Sequence, residues 1–296
     1  MPADTTPRYV DVDGIRTRYF DVGQGPPLLL WHGDEFGGVG SASTWSRNLA
    51  GLSREYRVIA ADRLGQGFTD VPQRESDYTV EAVLRHMHGF IQALGLREMH
   101  VVGQSRGAYF ATRLTLEWPE LVRSLVIVDT ATLAPDVGNT QQRLGQLLAN
   151  APSDLREYAE FRWTRLSYSA AHLTDDYLAE VAEMARSAPA QQVRPAIERL
   201  MQSTFLPSLG RQKAETLAWL AEGRLPCPTL VVWGHDDPLA PLPCGLELFD
   251  LLCAKHPDVR MHIFNQAGHF SYREHPREFN ALVSDFIGAA SVVPVS

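Results

Sequence analysis

The stretch Met99-His100-Val101-Val102-Gly103-Gln104-Ser105-Arg106-Gly107-Ala108 decides how the chain is read. It begins as an apolar strand, turns sharply and leaves as a helix expected over Arg106 to Trp118. Gly103, Ser105 and Gly107 fit the spacing G-x-S-x-G, in which a serine stands at the apex of a strained strand-to-helix turn. Flanking side chains would collide with the folded-back chain, so glycine stands on both sides. The helix that follows aims its first N–H groups and positive dipole end at whatever the serine attacks, which suits a developing oxyanion. A plain glycine turn with a surface serine could carry the same five residues, so Ser105 as nucleophile needs partners further along the chain.

Working outward, strands alternate with helices. Asp13-Gly14 between Tyr9–Val12 and Ile15–Phe20 is a two-residue hairpin signal, so the start is antiparallel. Pro27 to Trp31 is a continuous apolar strand, followed by the glycine-rich loop His32 to Gly38 and a short helix over Thr44 to Leu52. Arg57 to Asp62 is the next strand, and Val80 to Leu94 has helical apolar spacing that stops at Gly95. Leu125 to Val128, Thr229 to Trp233 and Arg260 to Phe264 complete the strands, and a helix around Leu246–Lys255 separates the last two. Parallel pairing through right-handed crossovers follows, giving an α/β fold with a doubly wound, mostly parallel eight-stranded sheet. Between residues 133 and 226 the rhythm is helical: Gln141–Ala149, Asp154–Tyr168, Asp175–Ala188 and Arg194–Gln202, with Pro152, Pro189, Pro195 and Pro207 read as breaks. This block is expected to be a helical lid (133–226) inserted into a core made of 1–132 and 227–296. A last helix over Pro276 to Ile287 precedes a frayed tail.

The totals fit a soluble enzyme better than a nucleic-acid or membrane protein. Of 296 residues, 45% are hydrophobic and 21% charged, enough to bury a sizeable core. The net charge of −8 would repel nucleic acid and anionic lipid. No apolar run reaches the length of a membrane span, and the first residues lack a basic region followed by an apolar core, so a cytoplasmic location is expected. Cys227, Cys244 and Cys253 have no metal-ligand spacing and are expected to be reduced thiols. No metal or cofactor is expected.

Ser105 finds its partners at two later strand ends, where ligands bind in open α/β sheets. Gly234-His235-Asp236-Asp237-Pro238 follows one strand and Gln266-Ala267-Gly268-His269-Phe270 the last. A base must take the serine proton and a carboxylate must orient the base, and the order serine, acid, histidine is that of an elbow nucleophile on such a sheet. His269 is the expected base. Asp129, at the end of the strand before the lid, is a lesser alternative carboxylate. The other histidines, His86, His88, His172 and His256, are expected to be solvated or locally bonded, and His32 to be structural.

These motifs resemble the α/β-hydrolase superfamily over nearly the whole chain. His32-Gly33 is similar to its oxyanion-loop motif, Gly103 to Gly107 to its nucleophile elbow, and Gly268-His269 to its base loop. Gly234-His235-Asp236-Asp237 with Pro241 is similar to its G-x-x-D-x-x-x-P acid loop, which favours Asp237 over Asp236. Within the superfamily the chain resembles the meta-cleavage-product hydrolases, which split a carbon–carbon bond in 2-hydroxy-6-oxo-dienoates. The glycine-rich segment leading to Trp45-Ser46-Arg47-Asn48 and the Glu274-His275-Pro276 run carry that likeness. The resemblance implies catalytic Ser105, Asp237 and His269, and an oxyanion hole from the backbone N–H of Arg106 with that of Asp34 or Glu35. It also implies a small-molecule substrate touched by Gln104, Arg106 and Phe270.

The chain departs from the pattern at several of these places. Asp34 and Glu35 stand where small residues are usual, Gln104 where asparagine is, and Arg106 where an apolar residue is. At least one of the two acids is expected to turn away or pair with Arg106. The family's lid arginine, which grips the substrate carboxylate, aligns with Val181, leaving Arg186 or Arg194 to substitute. Tyr158, Phe161, Trp163 and Tyr168 are expected mainly to pack the lid, with some lining the pocket. Ester or lactone hydrolysis is the alternative activity, a ligand receptor or a cofactor-free non-hydrolytic member of the fold the alternative of another class. A homo-oligomer such as a dimer is left open.

Overall fold

The structure, a computed structural model, describes residues 5–135 and 140–290. The expected frayed tail and residues 136–139 of the expected lid lie outside the described residues, as do the first four. Eight strands form one sheet: β1 (Arg8–Val12), β2 (Ile15–Val22), β3 (Pro27–Trp31), β4 (Arg57–Ala61), β5 (Met99–Gln104), β6 (Val122–Val128), β7 (Thr229–Gly234) and β8 (Val259–Phe264). Their order is β1-β2-β4-β3-β5-β6-β7-β8. β2 runs antiparallel to both neighbours, and every pair from β4 to β8 is parallel. The antiparallel start and parallel remainder are those expected from the sequence.

Burial on both faces explains the continuous apolar strands. In β3, Leu29 and Trp31 face one cluster while Leu28 and Leu30 face the other. The first face is covered by α2 (Val80–Ala93), α3 (Arg106–Glu117) and later α9 (Leu242–Cys253), through Met87, Phe110 and Leu248 among others. The second face is covered by α1 (Ser46–Leu52) and α11 (Pro276–Ala290), through Leu49, Phe279 and Val283. Thr79 caps α2 by accepting from the Ala82 N–H, and Gly95, at φ +63°, lets the chain turn out of it. A short helix, α10 (Ser271–Glu274), sits just after the β8 loop.

Between β6 and β7 lie α4 (Thr140–Leu147), α5 (Leu155–Leu166), α6 (Asp175–Arg186), α7 (Ala188–Leu200) and α8 (Leu206–Ala221). Side-chain caps at Asp154, Thr174 and Ser187 start α5, α6 and α7. Two prolines read as breaks are not breaks. Pro195 lies inside α7 and Pro207 lies in α8 just after the π turn, and each removes one backbone donor without ending the helical run. A π turn at Met201–Phe205 joins the two helices, so the chain stays helical from Ala188 to Ala221. The expected helix Arg194–Gln202 is thus the end of a longer element, and α8 has no counterpart in the sequence reading. α8 also packs as a core helix: Leu220 joins the first cluster, and the Arg113 guanidinium on α3 donates to Glu215 at 2.5 Å and Thr216 at 3.2 Å. The block expected as lid over 133–226 therefore contains α4 to α7 and one helix that belongs to the sheet's own covering layer.

Candidate active site

The β5–α3 turn has the strained geometry that its glycines permit. Ser105 sits at φ +54°, ψ −125°, and its N–H donates to the Val128 carbonyl at 2.8 Å. A Cβ at Gly103 would lie 2.5 Å from the Ala108 Cα, and one at Gly107 would run into the His32 carbonyl. The elbow is thereby pressed against both the helix it begins and the loop after β3.

At the ends of β7 and β8 the two partner loops meet this serine. His269 Nε2 lies 3.0 Å from Ser105 Oγ, and Nδ1 lies 2.7 Å from Asp237 Oδ2. Asp237 also accepts the Leu239 and Ala240 N–H groups through Oδ1, at 2.8 and 2.9 Å. A carboxylate only accepts, so Nδ1 carries the proton toward Asp237 and Nε2 accepts from the serine hydroxyl. Burial alone would lower the His269 pKa, but the Asp237 charge and hydrogen bond, with Asp129 adding to them, leave it raised above the usual 6.5. Asp236 is not part of this chain; it pairs with the exposed His235 at 3.2 Å.

Asp129 makes no hydrogen bond to His269 among the described residues. Buried at the end of β6 and at φ +45°, it accepts the Gly234 N–H at 2.7 Å and, from Ser271, the hydroxyl at 2.6 Å and the N–H at 3.2 Å. It thus ties the loop carrying Asp237 to the loop carrying His269. Burial, with the Asp237 charge added, pushes its carboxyl up to about 7. Gln104 donates to the His269 carbonyl at 2.9 Å, a second tie on the base loop. The third comes from the insertion: the His269 N–H donates to the Leu166 carbonyl, the last residue of α5, at 2.8 Å. A Cβ at Gly268 would collide with that same carbonyl at 2.6 Å.

The opposite wall is built from ion pairs. Asp34, at φ +75°, occupies a left-handed conformation that aspartate tolerates. Its Oδ1 accepts the Glu35 N–H and Arg162 Nη2, each at 3.0 Å, and its Oδ2 accepts the Gly40 N–H at 3.0 Å. Glu35 pairs with Arg106 at 2.8 Å. Each acid beside the serine thus has an arginine partner, and the expected Arg106 pairing falls to Glu35. Arg63, buried behind the loop, donates to the carbonyls of His32, Gly33 and Asp34 at 3.1, 2.8 and 2.7 Å. Burial, with Arg106 nearby, lowers its pKa to about 9. His32 is structural: its Nε2 accepts the Arg63 N–H at 3.2 Å, and its Nδ1 lies 2.7 Å from the Gly33 carbonyl.

A cavity lies over Ser105, lined by Gln104, Arg106, His269, Phe270 and Asp34 and, from the insertion, Arg162, Trp163, Leu144 and Leu166. Trp163 stacks on Phe270 with ring centroids 4.0 Å apart. Tyr168 is exposed instead, and Phe161 packs under Arg165. Neither Arg186 nor Arg194 reaches this cavity, which corrects the expectation for the lid cation: Arg186 is exposed on α6, and Arg194 lines a neighbouring cavity. The insertion's cation in this cavity, beside Arg106 from the elbow, is Arg162, which the sequence reading missed. Its signal was present in α5, where Ala159, Trp163 and Leu166 mark the buried face and Arg162 falls beside them, whereas Arg165 is exposed. No group of acidic, histidine and cysteine side chains suited to a metal ion occurs among the described residues.

The α/β-hydrolase fold family matches residues 26–276. The chain belongs to the α/β-hydrolase family. Its relatives in that family include a 2-hydroxymuconate semialdehyde hydrolase of Pseudomonas sp. (strain CF600), 31% identical over 98% of this chain and 96% of that protein. Another is the 2-hydroxy-6-oxo-6-phenylhexa-2,4-dienoate hydrolase of Burkholderia cepacia, 29% identical over 97% of this chain and 98% of that one. Among solved structures, a meta-cleavage product hydrolase from Pseudomonas fluorescens IP01 superposes with a TM-score of 0.78 at 27% identity, covering 96% of this chain and 98% of that chain. This α/β-hydrolase is therefore a hydrolytic enzyme similar to meta-cleavage-product hydrolases over its whole sheet and insertion. No described helix of the hydrolase is long and apolar enough to cross a membrane.

Proposed function

We propose that the enzyme is a serine hydrolase that cleaves the carbon–carbon bond next to the ketone of a 2-hydroxy-6-oxo-dienoate-type product of aromatic ring opening. The observation that carries the reading is the continuous hydrogen-bonded chain Ser105–His269–Asp237 at the floor of a lined cavity, in a chain similar throughout to enzymes named for such substrates. His269 takes the Ser105 proton as the hydroxyl adds to the ketone, and Asp237 holds the tautomer and stabilises the imidazolium. The oxyanion is held by the backbone N–H of Arg106 and that of Asp34, because the Glu35 N–H is already given to the Asp34 carboxylate. The carbon–carbon bond then breaks, its electron pair passes along the conjugated chain to the keto oxygen, which takes up the proton that His269 received from Ser105, and water releases the acyl group from Ser105. The substrate must first ketonise, so that this carbon leaves as an enol rather than a bare carbanion. α4 to α7 act as the lid, and Trp163 and Phe270 form the apolar side of the pocket.

A second reading has a specific observation in its favour. Both arginines in the catalytic cavity already hold a carboxylate of the protein, which suits a substrate that is neutral near the reacting carbonyl, such as an ester or lactone. A paired assay separates the two. Loss of dienol absorbance from a 2-hydroxy-6-oxo-dienoate is followed beside release of p-nitrophenol from short acyl esters, each with wild type and Ser105→Ala. Serine-dependent dienoate turnover far above the ester rate is the expected result. Fast ester turnover with an inert dienoate would overturn it in favour of the esterase.

A further inference from the structure

Arg63 is a buried cation that neither the relay nor the two ion pairs beside Ser105 employ. β4 runs beside β3 with Ala61 opposite Trp31, which brings Arg63, just past the strand, against the loop that follows β3. Its guanidinium lies over the Phe110 ring, 4.9 Å from the centroid, and its side-chain hydrogen bonds go to main-chain carbonyls, those of His32, Gly33 and Asp34. Neutral donors could satisfy those carbonyls. A charge kept out of water with no carboxylate hydrogen-bonded to it calls for a further reason.

The three carbonyls belong to consecutive peptides. In a trans peptide the C=O and the N–H point in opposite directions. Turning all three oxygens toward Arg63 therefore turns the N–H groups of Gly33, Asp34 and Glu35 away from it. A plain strand would alternate these directions; the left-handed φ of Asp34, +75°, lets them converge, as in a main-chain nest that binds anions. Gly33, Asp34 and Glu35 line the catalytic cavity and Arg63 stands behind them, so the N–H side of the loop is the side of the nucleophile. The approach is close: a Cβ at Gly33 would stand 2.7 Å from the Ser105 Cβ. The Glu35 N–H is given to the Asp34 carboxylate, whereas the Asp34 N–H has no acceptor among the described residues.

We propose that Arg63 is a positioning residue for the oxyanion hole, aiming the Gly33–Asp34 peptide at the reacting carbonyl and strengthening its N–H as a donor through the positive charge held at its oxygen. The proposal rests on the hydrolase reading above and deepens it. A cation on the carbonyl side of a peptide polarises it, and in a site of low dielectric that gain reaches the N–H on the other side. The planar guanidinium fork fixes the direction of neighbouring carbonyls, which a lysine ammonium does not. A neutral ground-state carbonyl draws little on the strengthened donor and an oxyanion draws fully, so the effect belongs to the transition state. The charges agree with this role. Asp34 with Arg162 and Glu35 with Arg106 are each neutral as pairs, so Arg63 leaves these loop charges one positive charge in excess behind the developing anion.

The test compares two inhibitors that share one alkyl chain, a methyl ketone and a trifluoromethyl ketone. The second accepts the Ser105 hydroxyl to form a tetrahedral oxyanion, whereas the first binds as a neutral carbonyl. Ki for each is measured with wild type, Arg63→Gln and Arg63→Lys, beside kcat and KM for p-nitrophenyl butyrate and a thermal melt. For Arg63→Gln the expected result is a loss of roughly 10- to 100-fold in kcat and a matching weakening of the trifluoromethyl ketone, with methyl ketone Ki and KM within about twofold of wild type. Arg63→Lys keeps the charge but not the fork and should fall between; it carries the same comparison if the glutamine variant melts below the assay temperature. Both ketones weakened alike, or neither weakened, overturns the role and leaves Arg63 a brace for the loop. A wild type that binds the trifluoromethyl ketone no tighter than the methyl ketone, and turns over neither ester nor dienoate, overturns the hydrolase reading itself, and the role of Arg63 falls with it.

Discussion

The two walls of the catalytic cavity are held by different physics. On one side, Ser105, His269 and Asp237 stand on loops at the ends of buried strands, fixed by short hydrogen bonds donated by Gln104 and accepted by Asp129 and the Leu166 carbonyl. On the other, Asp34, Glu35, Arg106 and Arg162 form two ion pairs, one within the β3 and β5 loops and one reaching from the β3 loop to the inserted helices. Hydrogen-bonded geometry on a rigid scaffold suits a proton relay that has to be aligned to a few tenths of an ångström. Ion pairs at a cavity rim can exchange partners with a charged ligand, so they suit selection of what enters. On the proposed function, the first wall carries the chemistry and the second the specificity.

That division predicts a large effect where the first wall is cut. Ser105→Ala should lower kcat by about 10⁴-fold or more, with Arg106 and the loop amides untouched. The thermal melt should barely move, because alanine inherits the same left-handed backbone. Single-turnover kinetics and a melting curve check both, and a loss under about tenfold would show that the wall does not house the nucleophile.

The walls also differed in how much of them the sequence disclosed. The relay was legible because each of its members sits at a strand end inside a short motif whose glycines are forced by backbone contact: Gly103, Gly107 and Gly268 have no room for a Cβ. Strands were legible for the related reason that burial on two faces leaves continuous apolar runs. The ion-pair wall was half legible. Asp34 and Glu35 stood out as charges where small residues are expected, and two acids beside an oxyanion implied that at least one turns away or pairs with Arg106, without saying which. The other cation was not legible, since it comes from a helix 128 residues away whose orientation depends on tertiary packing. α8 falls in the block that reads as helical but has no bounds there, because Pro207 punctuates the pattern although the π turn before it carries the helix through. Asp129 was legible as a buried strand-end carboxylate but not as the tie between two loops, which needs β7 and α10 in place.

Asp129→Asn tests whether the first wall is tuned as well as aligned. His269 must be neutral to accept the Ser105 proton, and its pKa is raised above 6.5, so kcat/KM should rise with pH through that ionisation. Asparagine removes the charge that Asp129 carries above its own pKa of about 7, so the imidazolium loses a stabilising neighbour there and the upper part of the acid limb moves to lower pH. The amide end of asparagine cannot accept from Gly234 or Ser271, so one buried donor loses its partner at a cost of roughly 1–3 kcal/mol. The expected outcome is a pH–rate profile displaced toward acid with kcat reduced about tenfold, a cost in the range of a misaligned base. An unmoved acid limb would reduce Asp129 to a purely mechanical tie.

Asp34→Asn acts on the second wall and should separate stability from selection. Asparagine can keep the acceptor shared by Glu35 and Arg162 but presents N–H groups to the Gly40 N–H, so the loop should lose about 1–3 kcal/mol. Arg162 meanwhile loses its internal anion. KM for carboxylate substrates should fall severalfold while the melting temperature drops, opposite directions that steady-state kinetics and a melt read independently. A rise in KM for anionic and neutral substrates alike would mean that Asp34 touches substrate.

Glu35→Gln is the smallest effect and the sharpest division between the walls. The pair it breaks is partly exposed, with the Glu35 side chain 29% accessible, so its removal should change stability by no more than about 1 kcal/mol. Glutamine still offers an oxygen to Arg106, which stays seated over the Phe205 ring. The formal negative charge beside the oxyanion amides disappears, which favours the transition state over the ground state. Turnover of a neutral ester should therefore rise slightly, by less than about threefold, and the rise should shrink as salt screens the field. A tenfold loss would place Glu35 on the reacting carbonyl itself, and the two walls would then share the chemistry.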